Sequence, residues 1–520
     1  MPLARRLITE MSTKSSHYLG PGGFAKARLE GASFVMVENR PYIPSLIVDL
    51  KDEASVINAA NIILSSVEEI KNDSETKSIG NAPTGKVTKL CGGLTNALFQ
   101  VDICNECEQQ STTSSVLVRI FGAEGMIDRD KETANFARLC NSSKKGGASI
   151  VVHSQLNYLG RFGNGRVETL IPNMRAATIC DLQETEDLVL EVTRQMARLH
   201  YGFDIPNYLL EKEASSCEEG ERNNFQPVLW DVLASWNEEL MTKISQACSR
   251  DVRLVNIFYS ALFGDTTTPS LQFESSGAAE DDAGKNESDL TEMMSHIAQR
   301  LTRESRWIKD YISEHHPNAP IAFCHNDVNA ANILLNDGLV ESNCFNRESV
   351  AMIDYEYGAI NYTMYDMANL ICEHCGGNDN GIPDYGLLPP LELQRKLVQE
   401  YIQERDRVLN ATVTNSIDER EEVSTLLSQV QTFQMVSHLY WGTWGILQGA
   451  TELLEGTCEI EIVKSRLHGE IGTNCWDNLR YGKNRLDRYR KHKQSLLEKD
   501  QKQMSYLYHS GRLGCSRDKT

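Results

Sequence analysis

The pattern of apolar and polar positions is mixed in the first part of the chain. Residues 52–70 carry apolar side chains at helical spacing, which predicts a helix. Residues 86–103 form two short apolar runs around a pair of glycines, and residues 114–122 are rich in β-branched side chains. Residues 163–173 form a further run that ends near a proline. These three stretches predict β-strands.

The pattern of the second part of the chain is mostly helical. Residues 185–202 carry an apolar stripe behind Thr185, the predicted N-cap, and residues 290–316 repeat that spacing. We therefore predict an α+β protein with two lobes, a small β-rich lobe and a larger, mainly helical lobe. The predicted divisions are a flexible N-terminal extension over 1–43, the N-terminal lobe over 44–175, the C-terminal helical lobe over 176–520 and, within it, a disordered acidic insert over 264–289.

Charge and composition exclude some classes of function. The net charge of -20 argues against a nucleic-acid partner, because such proteins present a basic surface. We find no apolar run long enough to cross a bilayer and expect a cytoplasmic protein. Residues 1–16 lack the apolar core of a signal peptide, but Arg5 and Arg6 leave an organelle-targeting segment open beside a disordered tail.

The cysteines leave one metal site open. The chain has 14 cysteines and no secretion signal, which favours reduced thiols. Two pairs have C-x-x-C spacing: Cys104 with Cys107, and Cys372 with Cys375. Together they could supply four thiolates to zinc, although more than 260 residues separate the pairs.

A polar constellation stands out in FCHNDVNAANILL, residues 323–335. It has the H-x-D-x-x-x-x-N spacing of a kinase catalytic loop, with Asp327 as a candidate base and Asn332 as a candidate Mg²⁺ ligand. The apolar run VAMI then leads to Asp354, where a second oxygen ligand for Mg²⁺ belongs. Asp and Asn also cap helices and form turns, so the spacing alone does not decide.

A glycine turn precedes this constellation. Gly92, Gly93, Thr95 and Asn96 lie in GGLTN, where backbone N–H groups could approach phosphates. An ordinary hairpin turn is the alternative. Arg119 lies on the third predicted strand, where it could hold phosphates bidentately or point outward from an edge strand.

Six stretches together resemble the choline/ethanolamine kinase family. They are CHNDVNAANILL, IDYEYGAINYTMYDMAN, CGGLTNALFQV, VLVRIFG, GRVETLIP and SHLYWGTWGILQG, and they fall within residues 86–490. The resemblance implies a bilobal protein-kinase-like fold and transfer of the γ-phosphate of ATP, with Mg²⁺, to the hydroxyl of an amino alcohol. This reaction begins the synthesis of phosphatidylcholine or phosphatidylethanolamine. The sequence leaves open whether the protein forms a homodimer.

The resemblance also implies roles for individual residues. Asp327 resembles the catalytic base, Asn332 and Asp354 resemble the magnesium ligands, and Arg119 resembles the phosphate-binding arginine. For binding of the nucleotide, Ile171 is a further candidate beside the residues of the glycine turn. On the substrate side, an acid near the ammonium group and indole faces are implied, and the candidates are Glu373, Trp441, Trp444, Tyr440 and Glu356. Core packing is the alternative for the two tryptophans, which are spaced i, i+3 on a predicted helix.

Three departures from the family bear on the substrate. His374 replaces the aromatic residue that follows the acid in many choline kinases, Tyr385 is the one candidate for an expected tyrosine, and Thr169 replaces a glutamine. Loss of an aromatic wall weakens binding of a quaternary ammonium more than of a primary amine, which can donate hydrogen bonds. We therefore favour ethanolamine, with a choline or dual-specificity kinase as the alternative. Another small-molecule phosphotransferase and an inactive kinase-like scaffold are the remaining alternatives.

Overall fold

The computed structural model describes most of the chain, with gaps. The described residues are 27–29, 32–37, 40–71, 85–90, 96–104, 113–122, 127–142, 151–203, 226–264, 280–336, 338, 345–377, 380–410, 416–456, 460–468 and 476–509. They fold into a small β-rich N-terminal lobe and a larger helical C-terminal lobe, which confirms the predicted α+β class.

The N-terminal lobe is built on one sheet of eight strands. The strands are β1 (Ala27–Leu29), β2 (Ala32–Val37), β3 (Arg40–Ile43), β4 (Gly85–Leu90), β5 (Asn96–Cys104), β6 (Thr113–Phe121), β7 (Tyr158–Phe162) and β8 (Gly165–Thr169). Their order is β1-β2-β3-β7-β8-β6-β5-β4, and every pair is antiparallel except β3 with β7. The strand predictions over 86–103, 114–122 and 163–173 are therefore confirmed.

Helices cover this sheet. Helix α1 (Glu53–Lys71), predicted from its apolar spacing, packs Val56 and Ile63 into a core with strand residues such as Val118. Helix α2 (Arg129–Ser142) begins with charged residues that take part in the candidate site described below. The sheet and α1 thus form an apolar core of their own, whereas Phe136 and Leu139 of α2 belong to the larger core that continues into the C-terminal lobe.

The prediction of a flexible extension over residues 1–43 was wrong for its last part. Strands β1, β2 and β3 continue the large sheet from Ala27 to Ile43. The run ASFVMV in β2 combines β-branched and large apolar residues, which fit a pleated surface. It pairs with a strand that contains Pro41, a residue that obscures strand patterns in a sequence. Residues 1–26 lie outside the described residues.

The C-terminal lobe consists mainly of helices. They are α3 (Ile179–Glu184), α4 (Glu186–Gly202), α5 (Val228–Arg250), α6 (Leu254–Phe263), α7 (Glu280–His315), α8 (Thr363–Glu373), α9 (Leu391–Leu409), α10 (Ser416–Glu455), α11 (Ile460–His468) and α12 (Asn478–His509). Helix α4 begins after Thr185, as predicted, although that side chain makes no capping hydrogen bond. None of the described helices is both long and apolar enough to cross a membrane.

The prediction of a disordered acidic insert over residues 264–289 was wrong for the last ten residues of that range. Helix α7 begins at Glu280, so residues 280–289 are helical, while residues 265–279 lie outside the described residues. Acidic side chains interact favourably with the N-terminal end of a helix dipole. The same acidic composition that suggested disorder therefore also suits the start of a helix.

Helices α10 and α12 pack closely against each other. A Cβ on Gly445 of α10 would lie 2.7 Å from the Cα of Gly482 of α12, and a Cβ on Gly442 would lie 2.7 Å from a side-chain atom of Leu486. Glycine at these positions lets the backbones approach closely. This contact fixes the part of α10 that carries Trp441 and Trp444.

The segments that connect the lobes form two small sheets. Strand β10 (Ile321–Cys324) pairs with β13 (Ala359–Tyr362), and β11 (Ile333–Asn336) pairs with both β12 (Val350–Met352) and β9 (Met174–Ala176). The chain therefore leaves the large sheet after β8 and joins the C-terminal lobe at β9. The loop between β10 and β11 contains the predicted catalytic residues.

Candidate active site

The loop after β10 is fixed by hydrogen bonds from behind. Asp366 accepts from the backbone N–H groups of His325 and Asn326, both at 2.7 Å, and His200 Nε2 lies 3.0 Å from the same carboxylate. His325 Nε2 lies 2.8 Å from the carbonyl oxygen of Ile353. All four polar residues are buried, so the loop has little freedom to change its position.

The two amides beside Asp327 orient its carboxylate. Asn329 Nδ2 donates to Oδ1 at 3.0 Å, and Asn332 Nδ2 donates to Oδ2 at 3.0 Å. Asn329 also accepts from the backbone N–H of Asn332 and so caps the short 3-10 helix Ala330–Asn332. Because the nitrogen of Asn332 serves Asp327, its carbonyl oxygen is the atom that suits a metal ion.

Asp327 lies in an acidic environment. Burial raises its pKa to about 8, although the hydrogen bond from Asn329 opposes that rise. The negative charges of Glu356, Glu373 and Asp354 raise it further. In the unliganded protein the carboxyl group therefore holds its proton near neutral pH, and positive charge brought into the cleft would favour ionisation.

Asp354 follows the buried strand β12 in a left-handed conformation, with φ of 64°. Both of its oxygens accept from Arg119 Nη1 at 3.1 Å. One oxygen each from Glu132, Asp354 and Glu356 lies within 4.8 Å of the others. Carboxylate and amide oxygens are the ligands that Mg²⁺ prefers, so the side chains of this cleft fit that ion.

Arg119 lies inside the sheet rather than on an edge strand. Strand β6 runs between β5 and β8, and the Arg119 side chain is 2% exposed, so the alternative of an outward-pointing residue was wrong. Its Nε donates to Glu168 at 2.9 Å, Arg166 Nε donates to the same oxygen at 2.6 Å, and Arg166 Nη1 donates to Glu132 at 2.6 Å. These charges stabilise one another, since an unpaired buried charge is very costly.

Glu356 connects the lobes. It accepts from Asn96 Nδ2 at 3.0 Å and from Arg129 Nη1 at 3.0 Å, and both donors belong to the N-terminal lobe. We call the connected charged residues the arginine–carboxylate network. Its members are Arg119, Arg129, Arg166, Glu132, Glu168, Asp354 and Glu356.

Sequence reasoning missed four members of this network. Glu168 and Arg166 lie in GRVET, a stretch quoted for its family resemblance, and Arg129 and Glu132 open α2. Alternating Arg and Glu on a buried strand is unusual, because such residues are almost never buried unless they are paired. This alternation of Arg and Glu was therefore the sequence signal that could have indicated a buried charged network.

The structure describes only some of the other predicted nucleotide-binding residues. Gly92, Gly93 and Thr95 lie outside the described residues, so their role stays a prediction. Ile171 is buried in the core of the C-terminal lobe, and its role also stays a prediction. The Thr169 hydroxyl accepts from the backbone N–H of Asn157 at 2.8 Å and donates to the carbonyl of Gln155, so it has a structural role.

Aromatic rings lie beside the catalytic loop. Trp441 contacts Tyr357, Tyr440 and Trp444 edge to face, with ring centroids 5.6, 5.2 and 5.8 Å apart, and Trp444 contacts Tyr481 at 6.4 Å. We call these five rings the aromatic wall. Tyr357 and Tyr481 were missed in the sequence, because they lie on separate elements and no local spacing connects them with Trp441.

Glu373, the last residue of α8, acts electrostatically on both the aromatic wall and the catalytic loop. Burial and the negative charges of Glu373 and Asp327 raise the pKa of Tyr481, although Arg485 opposes that rise. Glu373 also raises the pKa of Asp327. Electrostatic interactions therefore connect Asp327, Glu373 and Tyr481 of the aromatic wall. Glu356 accepts from two donors of the N-terminal lobe and also acts on Asp327.

Two of the three residues that depart from the family pattern, His374 and Tyr385, follow helix α8. His374 is buried, and its Nδ1 lies 2.9 Å from the carbonyl oxygen of Leu370. The Tyr385 ring contacts His438 at 5.4 Å and lies under the guanidinium group of Arg488 at 4.7 Å. Among the described ring contacts, Tyr385 joins no member of the aromatic wall.

The zinc site that the two C-x-x-C pairs left open gains no support. Cys372 and Cys375 are buried at the end of α8, and Cys372 Sγ lies 3.8 Å from His438 Nε2. Two clusters of at least three metal-ligating side chains occur within the described residues, and neither cysteine belongs to them. Cys107 lies outside the described residues.

The family profile for choline/ethanolamine kinases matches residues 87–490. The chain belongs to this family. The match includes the catalytic loop, Asp354, Arg119 and all five members of the aromatic wall. The protein is therefore a kinase of the choline/ethanolamine type.

Individual relatives agree with this assignment. The chain is 26% identical over 379 residues to the protein named probable choline kinase 2 of Arabidopsis thaliana, which covers 72% of this chain and 81% of that protein. It is also 26% identical over 372 residues to the probable ethanolamine kinase of the same plant, which covers 71% of this chain and 74% of that protein. The equal identities do not distinguish the two substrates.

A solved structure supports the fold. The Plasmodium vivax ethanolamine kinase superimposes with a TM-score of 0.50 at 18% identity, covering 85% of this chain and 91% of that one. At this identity the similarity shows the bilobal fold that the sequence motifs predicted.

Proposed function

We propose that the protein transfers the γ-phosphate of ATP to the hydroxyl group of ethanolamine and forms phosphoethanolamine. One observation carries the proposal: Asp327 accepts hydrogen bonds from Asn329 and Asn332, and the negative charges of Glu356, Glu373 and Asp354 act on its carboxyl group. This arrangement supports phosphoryl transfer, which depends mainly on positioning and on stabilisation of charge.

The proposed step begins when Asp327 accepts the proton of the substrate hydroxyl. The hydroxyl oxygen then forms a bond to the γ-phosphorus, and the bond from that phosphorus to the bridging oxygen of ADP breaks. Asn332 and Asp354 would hold Mg²⁺, which supplies neutralisation of the phosphate charge. Arg119, which Glu168 holds at 2.9 Å, would donate to phosphate oxygens.

The substrate ammonium group would lie between Glu373 and the aromatic wall. A cation is attracted to the faces of indole and phenol rings, and a carboxylate adds Coulombic attraction. That positive charge would also lower the raised pKa of Asp327 and make the base available when substrate is bound. The pocket therefore connects substrate binding with activation of the base.

Choline is the second candidate substrate. The aromatic wall has five rings in contact, and such an enclosure suits a quaternary ammonium as well as a primary amine. Ethanolamine stays the favoured substrate because Tyr385 contacts His438 and does not belong to this aromatic wall. Phosphoethanolamine would enter the CDP-ethanolamine route to phosphatidylethanolamine.

Steady-state kinetics test the proposal. ADP release is measured with ATP, Mg²⁺ and either ethanolamine or choline, and the Asp327→Asn variant gives the background rate. We expect both amino alcohols to support turnover, with a larger kcat/KM for ethanolamine. Turnover with choline alone would overturn the substrate assignment. Absence of ADP release with either would favour the inactive scaffold, and turnover only with other alcohols would favour a different phosphotransferase.

A further inference from the structure

A pair of adjoining cavities lies on the C-terminal lobe, between helices α6, α7, α10 and α12. One is a half-open cavity of about 400 Å³, and the other is a more open groove of about 660 Å³. Both volumes lie in the range of small-molecule sites. The two cavities share Arg300, Glu304 and Lys493, so one ligand could extend from the first into the second.

The half-open cavity has a mainly apolar lining. Most of its apolar lining belongs to the buried core, and Leu497 at 38% exposed is the exception. The apolar side chains that line it are Leu262, Phe263, Leu301, Leu439, Leu486 and Leu497. An apolar chain that entered this cavity would leave water, which favours binding.

The open groove carries positive charge on a protein of net charge -20. Its lining contains four cationic side chains, Arg300, Arg303, Arg306 and Lys493, against two acidic ones. A local reversal of charge on an acidic protein is a feature expected of an anion-binding surface.

Two of these cations are held in position. Lys493 Nζ lies 3.9 Å from the centroid of the Trp307 ring and donates to Glu304 at 2.6 Å. The Arg300 guanidinium lies 4.4 Å from the Phe263 centroid, and its Nη1 donates to the Tyr259 hydroxyl at 2.9 Å. Side chains fixed in this way lose little entropy when an anion binds.

The other two cations face solvent. Arg303 and Arg306 are exposed, and neither has an ion-pair partner in the part of the chain that the structure describes. Their guanidinium groups can donate bidentately to a phosphate or carboxylate. The cationic groove therefore has both fixed and adaptable donors beside an apolar cavity.

We propose that these cavities bind an amphiphilic anion, a single alkyl or acyl chain with a phosphate head group. The chain would occupy the apolar cavity, and the phosphate would contact Arg303 and Arg306 in the groove. The site is separate from the cleft, although Leu439 and Thr443 of its lining are the sequence neighbours of Tyr440 and Trp444.

Calorimetric titration with dodecyl phosphate below its micelle concentration tests the site. We expect one molecule to bind per protein. Butyl phosphate, which has the head group but a short chain, and dodecyl maltoside, which has the chain but no charge, should each bind at least tenfold more weakly. Equal binding of either probe, several molecules per protein, or no binding of dodecyl phosphate would overturn the proposal.

Variants at exposed positions locate the binding. The double change Arg303→Gln with Arg306→Gln should weaken dodecyl phosphate binding at least tenfold, and Leu497→Gln should weaken it about threefold. Arg420→Gln, an exposed arginine on α10 outside both cavities, is the matched control and should leave it unchanged. Unchanged affinity in the double variant, or displacement of the probe by ADP or phosphoethanolamine, would contradict this location.

Discussion

Different physical means hold together the arginine–carboxylate network and the aromatic wall. In the network, hydrogen bonds and ion pairs of 2.6 to 3.1 Å each join one nitrogen and one oxygen atom of the charged side chains. In the wall, ring centroids lie 5.2 to 6.4 Å apart, and each contact is an edge-to-face approach. The network is therefore sensitive to the loss of one atom, whereas the wall has overlapping contacts.

This difference orders the effects of substitution. Removing one partner from a buried ion network leaves an uncompensated charge, which costs several kcal/mol. Removing one ring from a set of contacting rings costs about 0.5 to 1.5 kcal/mol beyond the lost buried area.

The largest effect is expected from Asp327→Ala. Loss of a general base lowers turnover by about a hundred- to ten-thousand-fold, with little change in the fold. The measurement is kcat with ethanolamine, together with circular dichroism to check folding. Glu314→Ala, an exposed acid on α7, is the control and should keep normal turnover. A near-normal rate in Asp327→Ala would show that another group acts as the base.

The next effect concerns Glu168, whose Oε1 accepts from both Arg119 and Arg166. In Glu168→Gln the side chain keeps its shape but loses its charge, so two buried arginines lose a counter-charge. We expect the free energy of unfolding to fall by about 3 to 5 kcal/mol. The KM for ATP should rise, because Arg119 loses its support.

Denaturant unfolding and ATP kinetics check this prediction, with Glu184→Gln, an exposed acid, as the control. If Glu168→Gln were as stable as the wild type and bound ATP normally, the network would not hold Arg119 in place.

These charged residues also show how much the sequence could predict. Asp327, Asn332, Asp354 and Arg119 were found because a motif of fixed spacing, or a single strand, contains each of them. Glu168 was missed because its role depends on a neighbouring strand, β6, and strand order is not written in local spacing. The two-lobed fold followed from the change of period along the chain.

The aromatic wall shows the same limit more strongly. Trp441 and Trp444 were found on one helix, but Tyr357 follows β12 and Tyr481 lies on α12. Their approach depends on close packing of α10 on α12 at Gly445, which no periodicity predicts. Strands β1 to β3 were also missed, because they complete a sheet whose other strands lie much later in the chain.

A third prediction uses the pH dependence of stability. The pKa of Asp327 is raised from 3.8 to about 8 in the folded protein. The folded state thus binds more protons than the unfolded state between these values, and stability is lost as pH rises through that range, by at most about 1.4 kcal/mol per unit. Asp327→Asn lacks this group, so its stability relative to wild type should increase from pH 5 to pH 8.

Thermal unfolding of both unliganded proteins at pH 5 and pH 8 measures this difference. A constant difference in Tm at the two pH values would mean that the carboxyl group titrates normally. Such a result would place Asp327 in water rather than among the carboxylates of the cleft.

A fourth prediction tests the aromatic wall through Trp444. We expect Trp444→Ala to raise the KM for the amino alcohol about tenfold, consistent with loss of one cation–π contact, and to change the KM for ATP much less. Trp444→Phe, which keeps a ring, should recover part of the affinity, and Trp444→Leu, which keeps only apolar volume, should not. Equal changes in both KM values would indicate a role in the core instead.

The smallest effect concerns the coupling between Glu356 and Asp327. Glu356 is the foremost of the carboxylates that raise the pKa of Asp327, so its negative charge opposes ionisation of that acid. The stability gained by Asp327→Asn at pH 8 should therefore be smaller in a Glu356→Gln background. The difference in a double-mutant cycle should be about 0.5 to 1 kcal/mol.

At pH 5 Asp327 is neutral and has no charge for Glu356 to repel, so the same cycle should give a coupling close to zero. Denaturant unfolding of the four unliganded proteins at both pH values supplies the measurement. A coupling that persisted unchanged at pH 5 would have to come from packing rather than charge. It would then separate Glu356, which bridges the lobes through Arg129, from the electrostatics of the base.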